Sequence, residues 1–161
     1  MESGVNDWVS ELADQLQCDQ LTLATAESCT GGWLGRELTA LAGSSAWYSG
    51  GVISYSNSAK VCLLKVPEAT LAEYGAVSEP VARAMVRGAQ EALQADCSVS
   101  ITGVAGPGGG SLEKPVGTVW IAWRLHEYEE ARSFLFYGDR EAVRLQAVEE
   151  ALQGLLKMLK K

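Results

Sequence analysis

Apolar residues recur along this chain with two periods, and the alternation between the periods lays out its elements. Val5, Trp8, Val9, Leu12 and Leu16 fall on one stripe at helical spacing, with Asp7, Glu11 and Asp14 mostly off it, which predicts a first amphipathic helix over residues 5–17. The β-branched and apolar run over residues 21–26 reads as a buried strand. Leu34, Leu38 and Leu41 return to helical spacing and predict a helix over residues 30–42, ended by Gly43. Residues 47–55 read as a second strand, in which Gly50 and Gly51 point to a bulge or a close backbone contact. Residues 58–66 predict a short helix stopped by Pro67, and residues 68–74 a further helical turn or two before Gly75.

Ser78-Glu79-Pro80 is a helix start, with a capping hydroxyl, an acid in the first turn and an early proline; Val81, Met85, Ala89 and Leu93 follow at seam spacing. Residues 97–102 are uniformly small and apolar enough for a central strand. After a glycine-rich loop, residues 116–125 and 131–137 predict a β-hairpin joined by a charged turn over residues 126–130. Asp139 caps a last helix running from Arg140 to the chain end, with its acids early and its lysines late, as the helix dipole favours. The order α-β-α-β-α-α-β-β-β-α predicts an α/β fold: a three-layer α/β/α sandwich around a mixed, mostly parallel sheet with a C-terminal hairpin.

Composition narrows the function classes. The 161 residues are expected to form one domain, and 47% hydrophobic with 20% charged residues describes an ordinary globular protein. A formal net charge of -7, with basic residues clustered only at Lys157, Lys160 and Lys161, argues against a nucleic-acid surface. A small anion remains possible, since a few local donors hold one phosphate even in an acidic protein. The start, Met-Glu-Ser-Gly-Val-Asn-Asp, carries no secretory signal, and no apolar run reaches the length of a membrane span. Cys18, Cys29, Cys62 and Cys97 are widely spread, which fits free thiols in a reducing, cytoplasmic setting and disfavours a structural zinc site.

Ligands of such sheets gather beyond the carboxyl ends of the strands. Three features fall there. Ser28, in the run Ala24-Thr-Ala-Glu-Ser-Cys-Thr-Gly-Gly32, sits on a strand-to-helix turn, where unpaired N–H groups and the dipole stabilise a developing oxyanion. The competing reading makes Ser28 or Thr30 a mere helix cap. Lys60, in Tyr55-Ser-Asn-Ser-Ala-Lys60, can serve as a general base if burial lowers its pKa; otherwise it is a solvated helix residue. The loop over residues 102–111 lacks a P-loop ending, and its free N–H groups form either an anion nest or simply a flexible link. His126, the single histidine, is predicted at the far end of the sheet, which disfavours a Ser-His-Asp triad. Cys29 ranks below Ser28 as a nucleophile, and no cluster has metal-ligand spacing, so a metal-free site is expected.

Six ordered motifs complete the picture: Ala26-Glu-Ser-Cys-Thr-Gly-Gly32, Tyr55-Ser-Asn-x-x-Lys60, Gly75-Ala-Val-Ser-Glu-Pro80, Gly103-Val-Ala-Gly-Pro-x-Gly-Gly110, Lys114-Pro-Val-Gly-Thr118 and Gly138-Asp-Arg140. Together they resemble the CinA C-terminal domain family, whose members include bacterial nicotinamide-nucleotide amidases, and the resemblance runs over residues 21–146. It implies hydrolysis of nicotinamide mononucleotide to nicotinate mononucleotide and ammonia, in pyridine-nucleotide recycling, with no cofactor. It also implies a serine–lysine mechanism: Ser28 as nucleophile, Lys60 as base and Tyr55 as an auxiliary orienting either one. Backbone N–H groups around Thr30 and Gly31 are the expected oxyanion hole. The loop glycines and alanine (Gly103, Ala105, Gly106, Gly108 and Gly109) with Arg140 are the expected phosphate holders. Many relatives carry an additional N-terminal domain, for which these 161 residues leave no room. Homo-oligomerisation is expected from base rates alone. The alternative is a catalytically silent paralogue that binds a pyridine nucleotide or serves a regulatory role.

Overall fold

The computed structural model describes residues 3–161, so Met1 and Glu2 lie outside it. In chain order the elements are helix α1 (Ser3–Cys18), strand β1 (Leu23–Glu27), α2 (Trp33–Thr39), a 3₁₀ turn (Ser44–Ala46), β2 (Tyr48–Ile53), α3 (Asn57–Leu64), α4 (Glu68–Tyr74), α5 (Glu79–Ala92), β3 (Cys97–Gly103), β4 (Thr118–Leu125), β5 (Tyr128–Leu135) and α6 (Arg140–Leu159). The sheet order is β2-β1-β3-β4-β5. β1 pairs in parallel with β2 and β3, while β4 pairs antiparallel with β3 and β5, so every strand but β4 runs the same way. Helices α1, α2 and α6 cover one face and α3, α4 and α5 the other, which gives the three layers that the sequence order predicts.

The two faces are built from different residues. Toward α1, α2 and α6 the strands present Leu23, Val99, Ile101, Ile121 and Trp123, packed against Leu12, Leu16, Leu34, Leu38, Val148 and Leu152. Toward α5 they present Ala24, Ala26, Ser98, Ser100 and Ala122. Small side chains let α5 settle close to the sheet, and the buried hydroxyls are satisfied by that closeness: Ser98 Oγ donates to the Val86 carbonyl at 2.8 Å and Ser100 Oγ to the Ala82 carbonyl at 2.7 Å. The sheet is therefore pinned to α5 by polar bonds and to the other layer by bulk.

Three sequence expectations need correction. The helix expected over residues 30–42 is only Trp33–Thr39. Residues 28–32 form a tight turn instead, with the Gly31 N–H donating to the Ser28 carbonyl and Gly32 in the left-handed region at φ 106°. At the other end the Thr39 hydroxyl bonds back to the Gly35 and Arg36 carbonyls, occupying last-turn acceptors. The hairpin turn is two residues rather than five, because Leu125 pairs directly with Tyr128 and His126 takes φ 53°. Its charges do not loop outward: the Glu129 carboxylate, only 7% exposed, accepts from Arg83, Arg87 and Arg124 at 2.7–2.8 Å. These three guanidinium groups outweigh burial and hold the Glu129 carboxyl below its usual range.

Removing that anion leaves three arginines facing one another on partly exposed positions. Glu129→Ala should cost about 2–3 kcal/mol at neutral pH, the low end for breaking a buried pair because the arginines are partly solvated. A carboxyl with a lowered folded pKa stabilises above its unfolded pKa and loses that contribution as pH falls through the folded value. Urea unfolding of parent and variant at pH 7 and below pH 4 should therefore show a gap that narrows in acid.

Candidate active site

Parallel pairing brings three strand ends to one level. Glu27, the last residue of β1, stands opposite Ile53 at the end of β2 and Ile101 near the end of β3. Ser28 is the next residue, its N–H donating to the Ile101 carbonyl at 3.0 Å, while Ser54 N donates to the Glu27 carbonyl at 2.8 Å. The chain then turns through Ser56, whose hydroxyl caps α3 by accepting from the Ala59 N–H, and the first turn of α3 carries Lys60 back over the end of β1. Strand adjacency thus joins residues 32 positions apart: Lys60 Nζ lies 3.0 Å from Ser28 Oγ.

Lys60 is 1% exposed and Ser28 8%. Besides Ser28, Lys60 Nζ donates to the Ser54 carbonyl at 2.8 Å and, at a longer 3.4 Å, to that of Tyr55. Among the described residues no carboxylate pairs with it. Burial without a counter-ion pushes the Lys60 ammonium below its ordinary value. The three partners suit both protonation states. A neutral amine keeps two N–H donors for the carbonyls and turns its lone pair to the Ser28 hydroxyl; the ammonium donates to all three. Gaining the serine proton needs no movement of the lysine.

Around this pair the strand-end loops enclose a cleft of about 290 Å³, close to the smallest pockets that hold small-molecule ligands. It is lined by Ser28, Tyr55, Lys60, Gly103, Ala105, Gly106, Gly108, Gly109 and Arg140, all expected at the site. Asn57, Ala76, Val77, Thr102 and Val104 join them, as does Cys29. Although the chain is acidic, among the described residues no carboxylate lines this cleft, and two cationic side chains do. Among the described residues the amides of Ala105, Gly106, Gly108 and Gly109 have no protein acceptor. Gly106 takes φ 83°, and a Cβ there would strike Val116, whereas Gly108 meets nothing within 4 Å. The first glycine is demanded by the loop's packing, and the second leaves the cleft wall bare for close approach.

Other expected residues are placed differently. Thr30 and Gly31 line a separate depression with Trp33 and Arg144. The Gly31 N–H is already committed to the Ser28 carbonyl at 3.1 Å, so it is no free oxyanion donor. The amides of Cys29 and Thr30, among the described residues, have no protein acceptor. Tyr55 reaches Lys60 through its carbonyl only. Its side chain is 61% exposed, and its hydroxyl accepts from Arg140 at 3.1 Å while the same guanidinium donates to the Gly106 carbonyl at 2.7 Å. That bridge ties the tyrosine side of the cleft to the glycine loop. Burial pushes the Cys29 thiol up to about 11, so it is protonated at neutral pH. His126 lies at the opposite end of the sheet, its N–H donating to the Asp96 carbonyl just before β3.

Two contributors escape the sequence reading. Glu27 is 2% exposed, and its carboxylate accepts from the N–H groups of Gly32, Leu34 and Gly35 at 2.9–3.2 Å. It occupies the positive end of α2, so that helix dipole is spent on Glu27 rather than on a ligand. The signal was a glycine at the helix cap, which obliges the cap to come from elsewhere. Arg144 grips the Ser28–Gly32 turn from α6, one helical turn beyond Arg140 and hence on the same face.

A serine hydroxyl is thus bonded to a buried lysine, unpaired among the described residues, at the carboxyl edge of a three-layer α/β sheet. The chain belongs to the CinA C-terminal domain family, whose model matches residues 5–159. It is 52% identical over 146 residues to the nicotinamide-nucleotide amidohydrolase PncC of Escherichia coli K12, covering 90% of this chain and 88% of that protein. It is 49% identical over 151 residues to the protein of the same name from Pseudomonas putida, covering 92% and 93%. The crystal structure of a CinA superfamily protein from Klebsiella pneumoniae superposes with a TM-score of 0.94 at 40% identity, over 97% of this chain and 98% of that one. Among the described residues no helix is long and apolar enough to cross a membrane.

A lysine whose folded pKa is lowered destabilises the fold at every pH below that value, and the penalty fades as pH rises to the unfolded value. In urea melts the stability of the parent relative to Lys60→Met should therefore improve as pH rises through the folded value toward the ordinary lysine value. A difference constant across that range would mean that Lys60 is not depressed.

Proposed function

We propose that this cleft hydrolyses the carboxamide of nicotinamide mononucleotide to nicotinate mononucleotide and ammonia, in pyridine-nucleotide recycling, with the 161 residues acting as one amidase domain. The observation that carries the reading is the 3.0 Å bond between Ser28 and a buried Lys60 with no carboxylate partner among the described residues. The names of the Escherichia coli and Pseudomonas putida relatives supply the substrate class. The cationic lining, with no carboxylate among the described residues, supports an anionic ligand, with Arg140 and the free amides of the glycine loop suited to its phosphate.

The chemistry follows from the pair. Neutral Lys60 takes the Ser28 proton as Oγ attacks the carboxamide carbon, and negative charge collects on the former carbonyl oxygen. The lysine ammonium then gives its proton to the departing nitrogen, the C–N bond breaks, and ammonia leaves an ester on Ser28. Water, deprotonated by the same lysine, attacks that ester; the C–O bond to Ser28 breaks, and the proton returns to Oγ. One amide and one water thus become one carboxylic acid and one ammonia. Tyr55 and Ser54 hold the lysine through their carbonyls, leaving the Tyr55 hydroxyl to brace Arg140.

Release of ammonia and nicotinate mononucleotide from the mononucleotide tests the reading. Ser28→Ala and Lys60→Ala should each lower kcat by about 10³-fold or more, and the double variant should lose little beyond either. Because the base must be neutral and its pKa is lowered, kcat/KM should rise with pH along a limb below the ordinary lysine range. Arg140→Ala should raise KM far more than it lowers kcat. Turnover that survives loss of Ser28 or Lys60 would overturn the mechanism, and a parent that binds without turnover would overturn the activity.

A further inference from the structure

The Ser28–Gly32 turn holds an unusual concentration of unsatisfied polar groups. Among the described residues the N–H groups of Cys29 and Thr30 have no acceptor, and Thr30 Oγ1 is a fully buried side-chain atom with no partner. All three lie within two residues of Ser28 along the chain. Buried donors left open beside a reacting serine are what an oxyanion requires, provided that they are held rigidly before the charge develops.

The turn cannot hold them by itself. Its one internal bond runs from Gly31 N–H to the Ser28 carbonyl, and the amides at the start of α2 are tied to Glu27. The Trp33 N–H donates to the Thr30 carbonyl at 3.0 Å, and the remaining grip, including all that holds the Cys29 carbonyl among the described residues, comes from Arg144. Its Nε donates to the Cys29 carbonyl at 3.0 Å and one terminal nitrogen donates to the Thr30 carbonyl at 3.0 Å, a two-pronged hold on consecutive peptides. The Arg144 guanidinium is stacked over the Trp33 ring at 5.3 Å, which limits its own freedom. It stands in the depression beyond the turn and does not line the cleft.

Peptide planarity converts that grip into an aim. In a trans peptide the N–H points opposite to the C=O of the same unit. Holding the Cys29 carbonyl therefore directs the Thr30 N–H away from Arg144, and holding the Thr30 carbonyl directs the Gly31 N–H the same way, where it meets the Ser28 carbonyl. We propose that Arg144 is a positioning residue for the oxyanion donors: from behind the turn it fixes the Cys29–Thr30 peptide, which carries the Thr30 N–H, and through the Gly31 N–H bond to the Ser28 carbonyl it steadies the Ser28–Cys29 peptide, which carries the Cys29 N–H, so that both face the oxygen of the tetrahedral intermediate. The proposal rests on the serine–lysine amidase reading above.

The test separates aim from charge and from substrate binding. Arg144→Lys keeps the positive charge but loses the planar fork that spans two carbonyls, and Arg144→Met loses both. Both variants should lower kcat by about 10²–10³-fold, the scale of one oxyanion donor, with KM within about threefold of the parent and the alkaline limb unmoved. A second readout needs no nucleotide. Pyridine-3-boronic acid adds to Ser28 Oγ, with the serine proton passing to Lys60, and its tetrahedral boron is read by ¹¹B NMR; the variants should lose that adduct in parallel with kcat. Trp33→Leu, which removes the stacking surface and the indole bond to Glu37 but keeps Arg144 itself, should give a smaller loss in both readouts and serves if Arg144→Met does not fold.

Full rescue by lysine would overturn the proposal in favour of simple charge. A raised KM with kcat retained would make Arg144 a substrate contact, and an adduct equally strong in all variants would also overturn it. A parent that forms the adduct but leaves the mononucleotide intact refutes the amidase reading alone, because the adduct comparison still decides the role of Arg144. A parent that does neither refutes both.

Discussion

The structure turns on one burial that folding alone would avoid: a lysine, 1% exposed, with no carboxylate to pair it among the described residues. An ammonium in that position is costly, and the fold tolerates it because two backbone carbonyls and one hydroxyl take its protons. In the mechanism proposed above, that cost is what makes Lys60 useful. An ion pair would hold the proton on the lysine; carbonyls and a hydroxyl would leave it free to lose one and to regain it from the serine beside it.

Much of the remaining architecture serves to bring those two side chains together without a flexible link. Parallel pairing of β1 with β2 and β3 levels the three strand ends, and the tight cap at Ser56 returns α3 across them at once. The small face of the sheet lets α5 lie close, with Ser98 and Ser100 bonded to its carbonyls. Each side of the Ser28–Gly32 turn is also fixed by a charged side chain. Glu27 caps the helix that follows the turn, and Arg144 holds its carbonyls from behind. Neither side chain lines the cleft, which leaves its cationic character to Lys60 and Arg140.

The layers, the strand order by type and the strand-end location of the candidate cleft were legible because the hydrophobic periods are clean and because glycine, proline and capping residues punctuate them. Ser28 and Lys60 could be named for the same reason: both stand where a strand hands over to a helix. What periodicity could not carry is the direction of individual groups. The turn before Trp33 reads as the first turn of a helix until Gly32 is seen in its left-handed conformation. Tyr55 reads as a partner of Lys60 by proximity along the chain, yet its side chain bends to Arg140 on a helix 85 residues away. Glu27 and Arg144 were invisible as contributors because their work is done on backbone groups, and which peptide a long side chain reaches depends on tertiary packing. The two-residue hairpin turn was hidden by charges that belong to an arginine cluster rather than to solvent.

The central claim is that the serine beside the unpaired lysine becomes acylated. Acid-quenched mixtures of the protein with nicotinamide mononucleotide, sampled before the first turnover is complete, should show by intact-mass spectrometry a population heavier by the substrate less ammonia. Fragmentation should place that mass on Ser28, and Lys60→Ala should abolish it. Turnover with no such species, or with the mass on Cys29, would contradict the account.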